Sequence, residues 1–524
     1  MMDKIIKFKT HYIVFLLFVI AIVPRIYRFS QQPIYTDEIT WMVRAKETFL
    51  ALRTFNRQHI KNYFQSSNAW WVNDNDTEAI ALPLTAATGP FIAYLGIGQS
   101  VLTRNVARDF VVARFPLIVI NSFTVVIVYL LTRKITDKKT ALLTGVLYAL
   151  DPVAISYSRL IINDGLLTLF ILFGIYSFFY IENVKTSIIL SSLSICFAFL
   201  TKPIGLLPLI IFFFYAIFSD KKMKNFIKFT LIGLVSFVLI HFFWPEAWFH
   251  PFTSVFEYLT RQFKLIENST EMFFAGSVSH QVPFYYYFIL ICLRVPSYIF
   301  FGLLASLYFF FTKTGRKKLI LINLKTLSQI IYVFVFFLFL SFASKKSGVR
   351  YLLPIWPYIY IGACCAIFRF VKKLPEIFGG FVLLAIISLS LFNIYKYEPN
   401  YDYYYNEIFG GPAVAKNYVS TSLCYGAKES ADTLKKCFPQ VTQISYVGCA
   451  RSTLPYYFSG IINSQIDPNQ PVVIEAYYEQ MKYVTTKTAK LVKNKDVINV
   501  TKNGVDLAKI YLNLKQFPKS CSLN

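Results

Sequence analysis

A chain of 524 residues that is 56% hydrophobic and only 15% charged, with 36 Tyr and 53 Phe, does not have the composition of a soluble domain. Its formal net charge of +25 would suit a nucleic-acid binder, but the Lys and Arg residues cluster between long apolar runs. That pattern fits cytoplasmic loops facing anionic headgroups and excludes nucleic acid as a partner. What remains is a polytopic helical membrane protein.

The first apolar run, at roughly 11–29, follows the basic start "MMDKIIKFK". No small-residue cleavage site comes after it; "VPRIYRF" does, so the run reads as an uncleaved first span. The segment at roughly 30–109 then opens with "PIYTDEITW", and residues 39–55 have helix-compatible periodicity with basic residues suited to an interface. Further spans are expected at roughly 110–131, 140–157, 165–182, 186–201, 204–219 and 226–244. After a second outer segment at roughly 245–295 come spans at 296–312, 322–342, 352–369 and 375–395, which makes about eleven in all.

Orientation follows from the short basic loops "TRKITDKK", "IENVK", "SDKKMKN", "TKTGRKK" and "RFVKK", which with the N-terminus all fall on one side. The expected protein is multi-pass in the cytoplasmic membrane, with its N-terminus cytoplasmic and its C-terminus outside. Residues 1–396 form the all-α membrane domain, including the first outer loop, and 397–524 a small extracytoplasmic α/β domain in which "QISYVGCA" and "PVVIEAYY" read as strands. "TKTAKLVKNK" reads as helix or solvated loop. Cys424, Cys437, Cys449 and Cys521 lie in this tail; in an oxidising compartment they allow three pairings, and free buried thiols are the alternative.

The unusual polar residues converge on the outer side. Asp37 and Glu38 follow the first span, and "YSRLIINDGLL" puts Arg159 and Asp164 at an outer junction. "FLTKPIG" places Lys202 at the next one, and "SKKSGVRYLLPIWP" brings Lys345, Lys346 and Arg350 to another, against the inside bias of basic residues. Singly, each has an ordinary explanation: Asp164 as an N-cap, Arg159 as its partner or a snorkelling side chain, the 345–350 run as a solvated loop. Together, carboxylates and cations on one face suit a lipid-linked sugar phosphate. Cations neutralise the departing phosphate, and a carboxylate takes the proton of the attacking hydroxyl. No P-loop or Gly-rich fingerprint is present for a nucleotide-sugar donor.

The stretches "RIYRF…YTDEITW", "YSRLIINDGLLTLF", "WPEAWFHP", "VRYLLPIWPY" and "YDYYYNEIFGGPAVAKNY" resemble the protein O-mannosyltransferase and lipid A aminoarabinose transferase superfamily. These are multispanning glycosyltransferases of the GT-C fold that use polyprenyl-phosphate sugars. The resemblance implies a glycosyltransferase, inverting by direct displacement, with Asp37 as base or acceptor-orienting group, Glu38 beside it and Asp164 in the same catalytic set. It implies Arg159, Lys345, Lys346 and Arg350 as ligands of the donor phosphate, and Lys202, by its place at the same outer face, is expected beside them. The implied partners are a polyprenyl-phosphate sugar donor, membrane lipid, and a lipid, glycan or protein acceptor. One departure is "ALPLTAATGPFIAYLG", which stands where relatives often have a His-Pro-Pro or His-Pro-Gly element. Glu246, His250 and His280 share an outer loop and could bind a divalent ion, but their spacing is irregular, and the expectation is no cofactor, with a divalent metal as the alternative. A flippase or transporter of lipid-linked saccharides is the alternative reading, though such proteins put their charges near the bilayer midplane.

Overall fold

The computed structural model describes residues 2–54, 106–244, 253–267, 271–312, 323–421 and 424–520. Each of the eleven apolar runs is helical. Seven helices among the described residues are long and apolar enough to cross a membrane, and an eighth crossing results if the pair Lys138–Ala149 and Pro152–Ser158, bent by 58°, is one span. The other three runs, Pro203–Phe218, Ser297–Phe309 and Trp356–Val371, are shorter apolar helices. The protein is thus a multi-pass membrane protein. Exposed Phe237, Phe242, Ile377, Phe381 and Leu384 would be a liability in water and are ordinary in lipid.

Local chemistry sets the helix ends. Asp137 caps Lys138–Ala149 by accepting from the backbone N–H groups of Lys139 and Thr140, both at 3.0 Å. Asp151 caps the next helix through Ala154 N–H at 2.8 Å, with Pro152 at the first helical position, where its missing N–H costs nothing. Asn183 and Asn323 cap Val184–Thr201 and Leu324–Phe342 in the same way. Lipid supplies no hydrophobic drive between spans, so small residues make the contact. A Cβ on Gly174 would lie 3.2 Å from Ser194 Cβ, and Ser192 Oγ and Ser236 Oγ donate across to backbone carbonyls of the facing helices.

The segment after the first span contains a helix, Thr36–Thr54, that buries Met42, Ala45 and Phe49 from one face. Met42 and Ala45 pack against Phe110, Ala113 and Leu117 of the helix Val106–Ile135. Residues 55–105 of the expected first outer loop lie outside the described residues. The segment expected as the second outer one holds a helix, Thr253–Glu267, and a hairpin of β1 (Met272–Phe274) and β2 (Ser277–Ser279). It also holds a short helix, Tyr286–Arg294, which the hydropathy pattern does not separate from the loop.

Beyond the last span, Glu376–Tyr397, the tail forms a five-stranded sheet: β3 (Gln443–Val447), β4 (Ile461–Asn463), β5 (Val472–Glu475), β6 (Asp496–Lys502) and β7 (Val505–Leu512). The order is β4-β3-β5-β7-β6, with β3 parallel to both neighbours and β7 antiparallel to both of its own. Both strands expected from the sequence are present as β3 and β5, and "TKTAKLV" is a helix, Thr486–Val492. Cys424 and Cys449 form a disulfide.

Candidate active site

The site begins with a buried carboxylate that holds a loop in shape. Glu38, fully buried, accepts from Arg114 Nε at 2.8 Å and Nη2 at 2.5 Å, from Ile161 N–H at 2.8 Å and from Tyr35 N–H at 2.9 Å. Arg114 spends its other donors on the carbonyls of Gln32 and Pro33, at 3.2 and 3.0 Å. One ion pair therefore ties residues 32–38 to the helix Val106–Ile135 and to the turn before Asp164. With both oxygens occupied and no exposure, Glu38 serves here as a tie, whereas the expectation placed it in the catalytic set.

Its neighbour Asp37 points the other way and is half-exposed. Asp37 Oδ2 accepts from Arg350 Nη1 at 2.7 Å, and Asp164 Oδ1 from Lys202 Nζ at 2.6 Å. The two pairs are joined by Tyr351, whose ring lies 4.6 Å from Lys202 Nζ and 5.8 Å from the Arg350 guanidinium. Tyr35 flanks Arg350 on the other side, also at 5.8 Å. Burial works against the Arg350 cation, but the Asp37 and Asp164 carboxylates outweigh it and hold its pKa above the ordinary value. Burial likewise opposes the Lys202 ammonium, and Asp164 with Tyr351 holds its pKa above the ordinary value. Asp37, Asp164, Lys202 and Arg350, from four separate elements, thus form one electrically balanced cluster.

Backbone geometry supports this convergence. Asp164 and Lys202 follow from the adjoining ends of Asn163–Tyr180 and Val184–Thr201, and Arg350 sits in a 3-10 turn, Val349–Leu352, after the span Leu324–Phe342. Gly165 lets the start of its helix approach Asn121 closely; a Cβ there would fall 2.8 Å from Asn121 Nδ2.

Two expected phosphate ligands are elsewhere. Arg159, fully buried, donates to the carbonyls of Arg25 and Pro399 at 3.1 Å, Pro24 at 2.5 Å and Tyr27 at 2.6 Å. It pairs with Glu398 at 3.3 Å and stacks over Tyr401. A guanidinium so enclosed stitches the end of the first span to the start of the tail, its donors spent on that contact. Lys346, also buried, donates to the carbonyls of Leu340, Ser341 and Ala343 and so caps the C-terminus of Leu324–Phe342. Lys345 is half-buried and makes no hydrogen bond or ion pair with the described residues. Glu246 and His250 lie outside the described residues, and His280 pairs with Glu271 at 3.6 Å.

Sequence reasoning missed Arg114, Tyr35 and Tyr351. Arg114 carried a usable signal, a lone cation in the apolar stretch "DFVVARFPL", which demands a buried partner. Chemically, the cluster offers two cations to a phosphate and a half-exposed carboxylate to a proton.

Residues 89–244 match the family model described as dolichyl-phosphate-mannose-protein mannosyltransferase. The matched stretch contains Asp164 and Lys202 but neither Asp37 nor Arg350. An uncharacterized protein of Aquifex aeolicus (strain VF5) is 29% identical over 294 residues, 53% of this chain, and the match spans about half of that relative (54%). Among solved structures, the chain is similar to ArnT from Cupriavidus metallidurans bound to undecaprenyl phosphate (13% identity, 95% of this chain and 97% of that one, TM-score 0.49). It is similar also to the oligosaccharyltransferase AglB from Archaeoglobus fulgidus in complex with an inhibitory peptide and a dolichol-phosphate (10% identity, 99% and 75%, TM-score 0.49). Neither likeness assigns a role to any residue.

Proposed function

We propose that the protein is an integral-membrane glycosyltransferase that moves a sugar from a polyprenyl-phosphate donor to an acceptor hydroxyl on the extracytoplasmic face. The observation that carries this reading is the cluster of Asp37, Arg350, Lys202 and Asp164 at helix ends, a site suited to a phosphate whose lipid lies among the spans. The match of residues 89–244 to a lipid-phosphate-mannose transferase family supports it. So does the undecaprenyl phosphate named with the similar ArnT structure, as a precedent for the donor's chemistry.

In this mechanism Lys202 and Arg350 hold the donor phosphate, with Lys345 as a further cation. Asp37 leaves Arg350 to accept the proton of the acceptor hydroxyl. The acceptor oxygen attacks the anomeric carbon and forms the new C–O bond. The bond from that carbon to the phosphate oxygen breaks, its electron pair going to polyprenyl phosphate, and the configuration inverts. Asp164 holds Lys202 in place. The N-terminus lies in the cytoplasm and the tail outside, as the basic loops direct.

The test is a panel of polyprenyl-phosphate sugars offered to the purified full chain in detergent, with release of polyprenyl phosphate as the readout. Sugar-dependent release that is lost in Asp37→Asn is expected. No release from any donor, with lipid-linked saccharide crossing the bilayer in proteoliposomes, would overturn the reading in favour of transport.

A further inference from the structure

The loop that carries Asp37 is held from outside the membrane domain. Lys428 Nζ donates to Gln31 O at 2.5 Å. Tyr457 Oη accepts from Ile34 N–H at 2.7 Å. The Tyr425 ring packs on Tyr35 with centroids 5.5 Å apart, and Tyr35 in turn flanks the Arg350 that pairs with Asp37. All three contacts come from the tail, and from only two segments of it. Tyr425 and Lys428 closely follow Cys424, while Tyr457 is the C-cap of the 3-10 turn Leu454–Tyr456, shortly after Cys449. The Cys424–Cys449 disulfide, with Cα atoms 5.5 Å apart, joins those two segments.

We infer that the disulfide-joined segments of the tail are a clamp that positions Asp37 for the reaction, with Tyr425, Tyr457 and Lys428 as positioning residues. The physical ground is that the segment from Gln31 to Tyr35 is held from two sides. On its membrane side the Glu38–Arg114 pair fixes residues 32, 33, 35 and 38. Ile34 N–H goes to the tail, and the Tyr35 ring packs on Tyr425. Joining the clamping segments by a covalent bond reduces their freedom to separate, and a displacement of about 1 Å at a reacting group can cost ~10²-fold in rate. The disulfide therefore acts on catalysis from a distance, through Tyr35 and Arg350.

The inference rests on the transferase reading for its kinetic arm and on structure alone for its other arm. Hydrogen exchange at Ile34–Glu38 is measured on the full chain in detergent for wild type, Tyr457→Phe, Tyr425→Ala, Tyr425→Phe and the Cys424→Ala/Cys449→Ala pair. Faster exchange at Ile34 is expected in Tyr457→Phe, Tyr425→Ala and the cysteine pair, but not in Tyr425→Phe, which keeps the ring. In a transfer assay the same three variants should lose about ten- to hundredfold in kcat with KM for the donor unchanged. Tyr457→Phe removes one hydrogen bond and little else, so it keeps the test valid if the cysteine pair misfolds. Unchanged exchange at Ile34 overturns the clamp whatever the enzyme does, as does faster exchange with undiminished kcat. If wild type transfers no sugar from any donor, the transferase reading fails, and the exchange result alone decides the clamp.

Discussion

Arg350 and Asp37, 313 residues apart in the chain, meet at 2.7 Å, and the carboxylate stays half-exposed while it accepts that bond. A carboxylate both restrained and accessible is what a general base requires. Asp37→Asn is therefore expected to lower sugar transfer ~10²–10⁴-fold. Binding of polyprenyl phosphate should persist, since the amide keeps the shape and removes a negative charge beside Arg350. Near-normal turnover of the folded variant would remove Asp37 from the mechanism.

The cations divide into those that face the site and those spent on the fold. Lys202→Gln and Arg350→Gln should each weaken polyprenyl phosphate binding about ten- to hundredfold, the worth of a charged hydrogen bond. Arg159→Gln should leave that affinity unchanged and lower the thermal midpoint, because its carbonyl partners are then left buried without a donor. Equal losses of affinity in all three would restore Arg159 to the phosphate set.

Glu38→Gln tests the tie behind the loop. It leaves the Arg114 cation buried without its counter-charge, and breaking such a pair costs about 3–5 kcal/mol. Loss of stability, seen as a lower unfolding midpoint, should accompany any loss of transfer in Glu38→Gln. Asp37→Asn should lose transfer alone.

The tail carries a titration of its own. Glu475 is enclosed between Gly426 and Gly448; a Cβ on Gly448 would fall 2.3 Å from Oε2. Burial lifts its pKa to about 7, even though Ala450 N–H (3.0 Å) and Gly426 N–H (3.2 Å) donate to it. Oε2 also lies 3.1 Å from Cys449 Sγ, which as a disulfide sulfur has no proton to give, a contact that suits the protonated acid. A raised carboxyl pKa means that the folded state binds more protons, so stability should fall by about 3 kcal/mol between roughly pH 4.5 and 7 and then level off. Unfolding midpoints at pH 5 and pH 8 should differ in wild type and differ less in Glu475→Gln.

Hydropathy made the helices legible, because apolar runs long enough to span lipid have little other use. The strands β3 and β5 stood out by their β-branched residues between polar flanks. Within the site, Asp37, Asp164, Lys202 and Arg350 stood out for one reason: each is a charge at the end of an apolar run. Arg159 and Lys346 look the same in sequence. What separates them is the set of carbonyls waiting at helix ends, Ser341 and Ala343 for Lys346, Pro24 and Tyr27 for Arg159. Those partners exist only once the backbone has folded. The tail's hold on the first loop was equally hidden, since nothing local in "CYGAK" or "PYYF" points to residues 31–35.

The bond between Ile34 and Tyr457 also imposes an order in time, since 423 residues separate its partners. At about 5–20 residues per second, a ribosome needs roughly 20–80 s to make the intervening chain. The Asp37 loop leaves the ribosome among the first segments and cannot reach its final form until nearly the whole protein has followed. During that interval the spans can insert and pack, yet the nascent molecule still lacks Tyr457 and the other tail residues that contact the loop. The loop's last contacts are made late.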